Sequence, residues 1–169
     1  MRDDTWSTAG PRRLAGQAIA LLTARGQTVA VAESLTGGML AAALTGIPGA
    51  SAAFRGGVVA YATDLKASLL GVSADLLDRH GAVHPDVAAA MALGARRQLA
   101  GTFGVATTGV AGPDRADGQP VGTVYIAVCG QGRALGRSLA LSGDRQEIRT
   151  ATVEHALHLL VATLREEIS

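Results

Sequence analysis

The sequence predicts a three-layer α/β/α sandwich built on a mixed, mainly parallel sheet. Three observations carry that reading. Short continuous apolar runs alternate with amphipathic helical stretches. The composition is 48% apolar but only 3% aromatic, so Ala, Val, Leu and Ile must fill a close-packed interior. The last two strand candidates face each other across Gly130-Gln131-Gly132, an antiparallel hairpin in an otherwise crossover-linked sheet. A chain of 169 residues has the length for one sizeable core. Without a linker, repeat or low-complexity stretch to divide it, residues 1–169 are read as one domain with residues 1–11 as a flexible N-terminus.

Leu14, Ala18, Leu21 and Leu22 recur at helical spacing, and Arg25-Gly26 supplies a basic last turn and a left-handed cap. Thr28–Ala32 is a β-branched apolar run, the pattern of a strand covered on both faces. Glu33–Gly38 interrupts it with polar residues and opens a helix from Met39 to Leu44. Ile47–Ala50 is a turn, and Phe54–Tyr61 is a second strand whose Gly56-Gly57 marks a bulge near its start. Asp64 or Thr63 is the expected cap of a helix through Leu70 that stops at Gly71. Pro85 precedes an Ala-rich helix over Val87–Leu99. Strands follow at Phe103–Thr107, Val121–Cys129 and Ala134–Leu141, the first two separated by the Gly- and Pro-rich loop Thr108–Pro120. Asp144 to Glu147 has the spacing of a capping box, and Ile148 to Leu164 gives a long amphipathic helix.

Charge and cysteine usage narrow the function. With 15 basic and 14 acidic side chains spread along the chain, there is no basic stripe to track a phosphate backbone, so nucleic acid is not an expected partner. Cys129 is the only cysteine. It lies in an apolar run and reads as a small buried hydrophobe, with no intrachain disulfide to form. Asp3, Asp4 and Pro11 occupy the stretch where a signal peptide would need apolar residues, and no segment reaches about 20 apolar residues. A cytoplasmic protein without a membrane partner is expected. His80, His84, His155 and His158 lack metal-ligand spacing, and no P-loop, Ser-x-x-Lys pair or dinucleotide fingerprint is present.

In open α/β sheets ligands bind beyond the carboxyl ends of strands, which singles out three segments. Ser34–Gly38 places hydroxyls and two glycines at a helix start, suited to an anion or an oxyanion; Ser34 and Thr36 as plain helix caps are the alternative. Tyr61 and Lys66 straddle a strand-to-helix turn, where burial and the helix dipole would lower the lysine pKa toward that of a general base. The alternative is an exposed lysine whose stem covers apolar neighbours. Thr107–Pro113 offers hydroxyls and permissive glycines for a ligand, or forms a surface turn.

Together, Ala32-Glu-Ser-Leu-Thr-Gly-Gly38, Phe54–Tyr61 with Lys66, His80-Gly-Ala-Val83, Thr108-Gly-Val-Ala-Gly-Pro113, Pro120-Val-Gly-Thr-Val124 and Gly143-Asp-Arg145 resemble the carboxy-terminal domain of competence/damage-inducible protein A. The resemblance runs in order from about Leu14 to the final helix. It implies hydrolysis of nicotinamide mononucleotide to nicotinate mononucleotide and ammonia, with Ser34, Lys66 and Tyr61 in the catalytic positions, no metal or cofactor, and a homodimer or larger homo-oligomer. On that footing Lys66 takes the Ser34 proton, directly or through the Tyr61 hydroxyl. Backbone N–H groups near Thr36 and Thr108 are candidates for the oxyanion site, with Gly109 beside them. Gly37, Gly38 and Arg145 are candidates for the substrate phosphate. Longer members of the family carry a further N-terminal domain, for which this chain is too short. Two departures stand out. Leu35 replaces the usual Cys, and Asp114-Arg-Ala-Asp117 with Gln119-Pro120 replaces a more glycine-rich loop with a Lys before the Pro. A catalytically silent nucleotide-binding protein, and an amidase for another carboxamide, are the competing readings.

Overall fold

The structure, a computed structural model, describes residues 9–130 and 132–166. Residues 1–8 of the expected flexible N-terminus, and Gln131 of the hairpin turn, lie outside that description. Residues 9–11, also assigned to the N-terminus, form the first turn of α1 (Ala9–Ala24). The elements that follow are β1 (Val29–Glu33), α2 (Met39–Thr45), β2 (Phe54–Val59), α3 (Thr63–Leu70), α4 (Ala74–His80), α5 (Pro85–Gln98), β3 (Phe103–Gly109), β4 (Thr123–Cys129), β5 (Ala134–Ala140) and α6 (Arg145–Glu166).

The five strands form one sheet in the order β2-β1-β3-β4-β5. β1 runs parallel to β2 and β3, while β4 is antiparallel to both β3 and β5. Four of the five strands therefore point the same way. The chain leaves β1 toward β2 on one side and returns to β3 on the other, so the carboxyl ends of β1 and β3 flank a topological switch point.

Alternation along the strands sorts the core into two unequal faces. Val29, Val31, Phe103, Val105, Val124, Ile126 and Val128 pack with α1, α2 and α6. Ala30, Ala32, Ala106, Ala127 and Cys129 pack on the other face with α3, α4 and α5. That second face is built of small residues so that α5 can lie close to the sheet. A Cβ at Gly104 would overlap the Ala92 carbonyl oxygen, and one at Gly94 would overlap the Leu70 carbonyl oxygen. Glycine there brings α5 down on β3 and the end of α3 down on α5, which is how a core with few aromatics reaches close packing.

Local signals explain most element boundaries. Gly26, at φ 61°, ends α1 with Gln27 N–H donated to the Leu22 carbonyl at 2.9 Å. The bulge in β2 appears as a register step between Val29–Phe54 and Ala30–Gly56 that leaves Arg55 unpaired. The capping box of α6 is reciprocal: Asp144 N–H donates to Glu147 at 2.7 Å, and Glu147 N–H donates to Asp144 at 2.9 Å.

Two expectations need correction, and one helix is additional to them. Neither Asp64 nor Thr63 caps α3, because the helix starts one residue earlier on Ala62, which has no side-chain acceptor to offer. β3 continues through Thr108 and Gly109, which pair with Tyr125 and Val124 and so belong to the sheet rather than to the following loop. α4 was not anticipated, since seven residues with only Leu76 and Leu77 as large apolar side chains are too short to show a helical period. Cys129 is buried, as its apolar surroundings predicted. Among the described residues, no helix is long and apolar enough to cross a membrane.

Candidate active site

The last residue of β1 and the one after it point to opposite faces of the sheet. Glu33 follows Val29 and Val31 toward α2, and its carboxylate, almost fully buried, accepts N–H groups from Gly38 at 3.1 Å, Leu40 at 3.0 Å and Ala41 at 2.8 Å. Ser34 takes the other side. Its N–H is donated to the Thr107 carbonyl at 3.1 Å, and its hydroxyl meets the Lys66 Nζ at 3.1 Å.

Lys66 is completely buried. It reaches inward from the first turn of α3 and donates to the Ala60 carbonyl at 2.7 Å and the Tyr61 carbonyl at 3.3 Å, besides meeting Ser34. Among the described residues it forms no ion pair. Desolvation lowers its pKa from 10.5 to about 8, opposed by the negative charge of Asp117. The opposing carboxylate is Asp117, from the loop after β3, rather than Asp64 on the lysine's own helix. A shift of this size raises the neutral fraction at pH 7 from about 0.03% to about 10%. In the neutral amine two N–H bonds satisfy the two carbonyls, which leaves the lone pair directed at the Ser34 hydroxyl. This geometry can take a proton from serine without an intermediary.

Tyr61 enters this arrangement by its main chain. Its phenol is exposed and accepts from Arg145 Nη2 at 3.0 Å, while Arg145 Nη1 donates to the Gly112 carbonyl at 2.6 Å. A relay from Ser34 through the phenol to Lys66 is absent from this geometry, because the lysine meets the Tyr61 carbonyl and the phenol faces the guanidinium. Arg145, the first residue of α6, joins the end of the β2 connection to the loop after β3.

The other predicted positions are in structural use. The hydroxyl of Thr36 pairs with that of Thr107 at 2.8 Å, both completely buried, and Thr108 donates its hydroxyl to the Ala82 carbonyl at 2.7 Å. Gly37 N–H is donated to the Ser34 carbonyl at 3.1 Å, and Gly38 N–H to Glu33. The helix start that the sequence offered to a phosphate therefore already holds an anion, the Glu33 carboxylate. Gly109 lies within β3, where a Cβ would come within 2.7 Å of the Thr123 carbonyl oxygen. The N–H groups of Leu35 and Thr36, by contrast, have no partner among the described residues. They lie immediately after the serine, where an oxyanion would form.

Sequence reasoning passed over Glu33 and Arg149. Arg149 Nε donates to the Leu35 carbonyl at 2.9 Å and its Nη2 to the Thr36 carbonyl at 3.2 Å. It thereby holds the serine turn against α6. The strand period would have found Glu33, whose parity matches Val29 and Val31, and Arg149 lies one helical turn beyond Arg145. Leu35 is buried in the core beside α1, α2 and α6. His84 caps α5 by accepting the Asp86 N–H at 3.2 Å, and His80 stacks on it with centroids 4.2 Å apart. Among the described residues no three His, Cys, Asp or Glu side chains come together to hold a metal.

Fold and site define a class: three-layer α/β domains with a buried serine–lysine pair at the switch point of the sheet. Within it, residues 11–164 match the CinA C-terminal domain, and the chain belongs to that family. It is 54% identical over 147 residues to a CinA-like protein of Frankia casuarinae, covering 87% of this chain and 34% of that protein. A putative competence-damage inducible protein of Desulforudis audaxviator is 47% identical, with 87% and 36% covered. The chain thus spans about a third of the length of these relatives. Among solved structures, a competence/damage inducible protein of Agrobacterium tumefaciens superposes with a TM-score of 0.89 at 40% identity, covering 93% of this chain and 96% of that one. A CinA superfamily protein of Klebsiella pneumoniae gives 0.89 at 31% identity, covering 92% and 98%.

Proposed function

We propose that this domain is an amidohydrolase that converts nicotinamide mononucleotide and water to nicotinate mononucleotide and ammonia, with Ser34 as nucleophile and Lys66 as its base. The observation that carries the reading is the 3.1 Å contact between Ser34 Oγ and a completely buried lysine that has lost most of its basicity and has no ion-pair partner among the described residues. A lysine serving only as a structural cation would be expected to face a carboxylate.

The chemistry follows from the contacts. Lys66 takes the Ser34 proton as Oγ attacks the carboxamide carbon, and the N–H groups of Leu35 and Thr36 stabilise the oxyanion. When the C–N bond breaks, the lysine ammonium returns that proton to the leaving nitrogen, which departs as ammonia. The remaining ester is attacked by water, whose proton passes to Lys66 and then to Ser34 as the acid leaves. Tyr61 and Arg145 line the approach. In this reading Arg145, whose guanidinium links the Gly112 carbonyl to the Tyr61 phenol, meets the substrate phosphate in place of the Gly37-Gly38 helix start. Self-association into a homo-oligomer forms part of the same reading. β2 is an open sheet edge, and Val59, Tyr61 and Leu69 near it are exposed. Light scattering on the purified chain tests that point.

Ammonia release with nicotinamide mononucleotide, set against nicotinamide, its riboside and its dinucleotide, tests the function. Ammonia from the mononucleotide above all is the expected result. Saturable binding without ammonia would instead make this a nucleotide-binding protein, and turnover of an unrelated carboxamide alone would make it a different amidase.

A further inference from the structure

Asp117 stands in the loop between β3 and β4. Ala116 and Gln119 exchange backbone hydrogen bonds of 3.3 and 2.8 Å around it, and Asp117 itself sits at φ 50°, a left-handed conformation that side chains seldom take. Its Oδ2 accepts the Ala82 N–H at 2.7 Å, and its carboxyl group packs on Gly81, where a Cβ would come within 2.8 Å of Asp117 Cγ. The carbonyl of the same Ala82 receives the Thr108 hydroxyl at 2.7 Å, and the neighbouring Thr107 carbonyl accepts the Ser34 N–H at 3.1 Å. A short chain of hydrogen bonds therefore fixes this carboxylate relative to the nucleophile.

Oδ1 has no partner among the described residues, and Asp117 forms no ion pair among them. Its charge is nevertheless felt at Lys66. The other carboxylates nearby are differently placed: Glu33 is saturated by α2 on the far face of β1, and Asp64, exposed as Asp117 is, stands on the lysine's own helix. When Lys66 is neutral and ready to act, the Asp117 carboxylate, held through Ala82 and Thr108 to the strand that anchors Ser34, has no cation paired with it among the described residues, while Arg145 supplies a positive charge beside the Tyr61 phenol. A ligand cationic near its carboxamide and anionic at its far end complements both.

We propose that Asp117 is a specificity-determining residue, whose carboxylate favours carboxamides borne on a cationic ring over neutral rings of the same shape. The inference rests on the amidohydrolase reading and deepens it, assigning the selection of ring charge to the loop rather than to the serine–lysine pair.

Asp117→Asn isolates the charge. Asparagine tolerates the left-handed backbone and still accepts the Ala82 N–H. The measurement is kcat/KM for nicotinamide mononucleotide and for its 1,4-dihydro form, which has the same outline and an uncharged ring, each followed against pH. The intrinsic reactivities of the two rings cancel when the ratio in the variant is divided by that in the parent. We expect the preference for the cationic ring to fall about tenfold, mainly through KM, and the acidic limb of the pH profile to move to lower pH as Lys66 loses an anionic neighbour. A purely structural Asp117 would move neither. An unchanged ratio or an unmoved limb overturns the proposal. Should the parent release ammonia from neither compound, the amidohydrolase reading falls. Equilibrium binding of the same two compounds then decides for Asp117: a cation preference present in the parent and lost in Asp117→Asn upholds it, and equal affinities in the parent overturn it.

Discussion

Glu33 and Lys66 are both charged, both buried and both at the end of β1, yet the sequence surrounds them in opposite ways. Glu33 faces the α2 side and is met by three N–H groups of a helix start. Lys66 comes from the α3 side and is met by two carbonyls and a serine hydroxyl, with no ion-pair partner among the described residues. Helix-start N–H groups stabilise a fixed anion and leave it nothing further to do. Carbonyls stabilise a cation only partly, so Lys66 keeps the cost of desolvation and expresses it as lowered basicity. One buried charge holds the turn in place, and the other remains free to exchange a proton.

The comparison breaks most sharply at Ser34. Ser34→Ala should reduce kcat by at least about a thousandfold, as expected for loss of a covalent nucleophile. Thermal stability and nucleotide binding should remain close to the parent, since one hydroxyl contributes little to the core. Turnover within tenfold of the parent would end the covalent mechanism.

On the lysine side, kcat/KM should rise with pH along a limb with an apparent pKa near 8. Lys66→Met should remove the limb together with nearly all activity, and Lys66→Arg should be as inactive because guanidinium does not give up its proton. An active arginine variant with an unchanged profile would reduce Lys66 to a source of charge. Stability should move the other way. The folded pKa is lowered, so the unfolded chain binds more protons between about pH 8 and 10.5, and parent stability should rise across that window. Below it the buried ammonium costs about 3 kcal/mol. Lys66→Met relieves that cost and leaves two carbonyls unsatisfied at about 1 kcal/mol each, for a net gain of about 1 kcal/mol at pH 7. Denaturant titration at pH 7 and pH 10.5 checks it: the advantage should be gone at the higher pH.

Glu33→Gln tests the opposite face. The amide keeps one acceptor but turns an NH2 toward helix N–H groups, so a loss of about 2 to 3 kcal/mol is expected. For a chain of this length that is a fall in Tm of roughly 4 to 12 °C. Activity per folded molecule should stay within a few-fold. A large loss of kcat with unchanged Tm would mean that Glu33 belongs to the chemistry.

The same contrast shows what could be read from sequence. Alternation, caps and turns gave the layers, the hairpin, the β2 bulge and the reciprocal Asp144–Glu147 box, because these depend on residues close together along the chain. Ser34 and Lys66 became recognisable as a pair through six ordered motifs. Their geometry needed the sheet order, which places the ends of β1 and β2 side by side. What stayed hidden was which side chain each backbone group had already claimed. Gly37 and Gly38 have the composition of an anion site, and only the fold shows that Glu33, five residues before Gly38, fills it. The charge of Asp117 opposes the lowered basicity of a lysine 51 positions away, and the hydrogen bond from Ala82 that holds this carboxylate is one that no local pattern carries.

Arg145 is the next test in size. Arg145→Ala should weaken nicotinamide mononucleotide about ten- to a hundredfold, the range of a charge-assisted hydrogen bond, and change the riboside far less. Equal losses for both would confine Arg145 to tethering the Gly112 loop and Tyr61.

Tyr61→Phe carries the smallest expected effect. The variant keeps the main-chain carbonyl that orients Lys66 and removes only the phenol oxygen, which meets Arg145 at the exposed entrance. A neutral hydrogen bond at such a place is worth about 0.5 to 1.5 kcal/mol, so a loss of roughly two- to tenfold is expected, mostly in KM, with the position of the pH limb unchanged. If the proton instead travels from Ser34 through the phenol, the phenol must leave Arg145 and turn inward during the reaction. Phenylalanine would then lower kcat nearly as far as alanine at Ser34 does. The two routes differ by orders of magnitude in kcat, and kcat for Tyr61→Phe measured alongside Ser34→Ala decides between direct transfer to Lys66 and a three-residue relay.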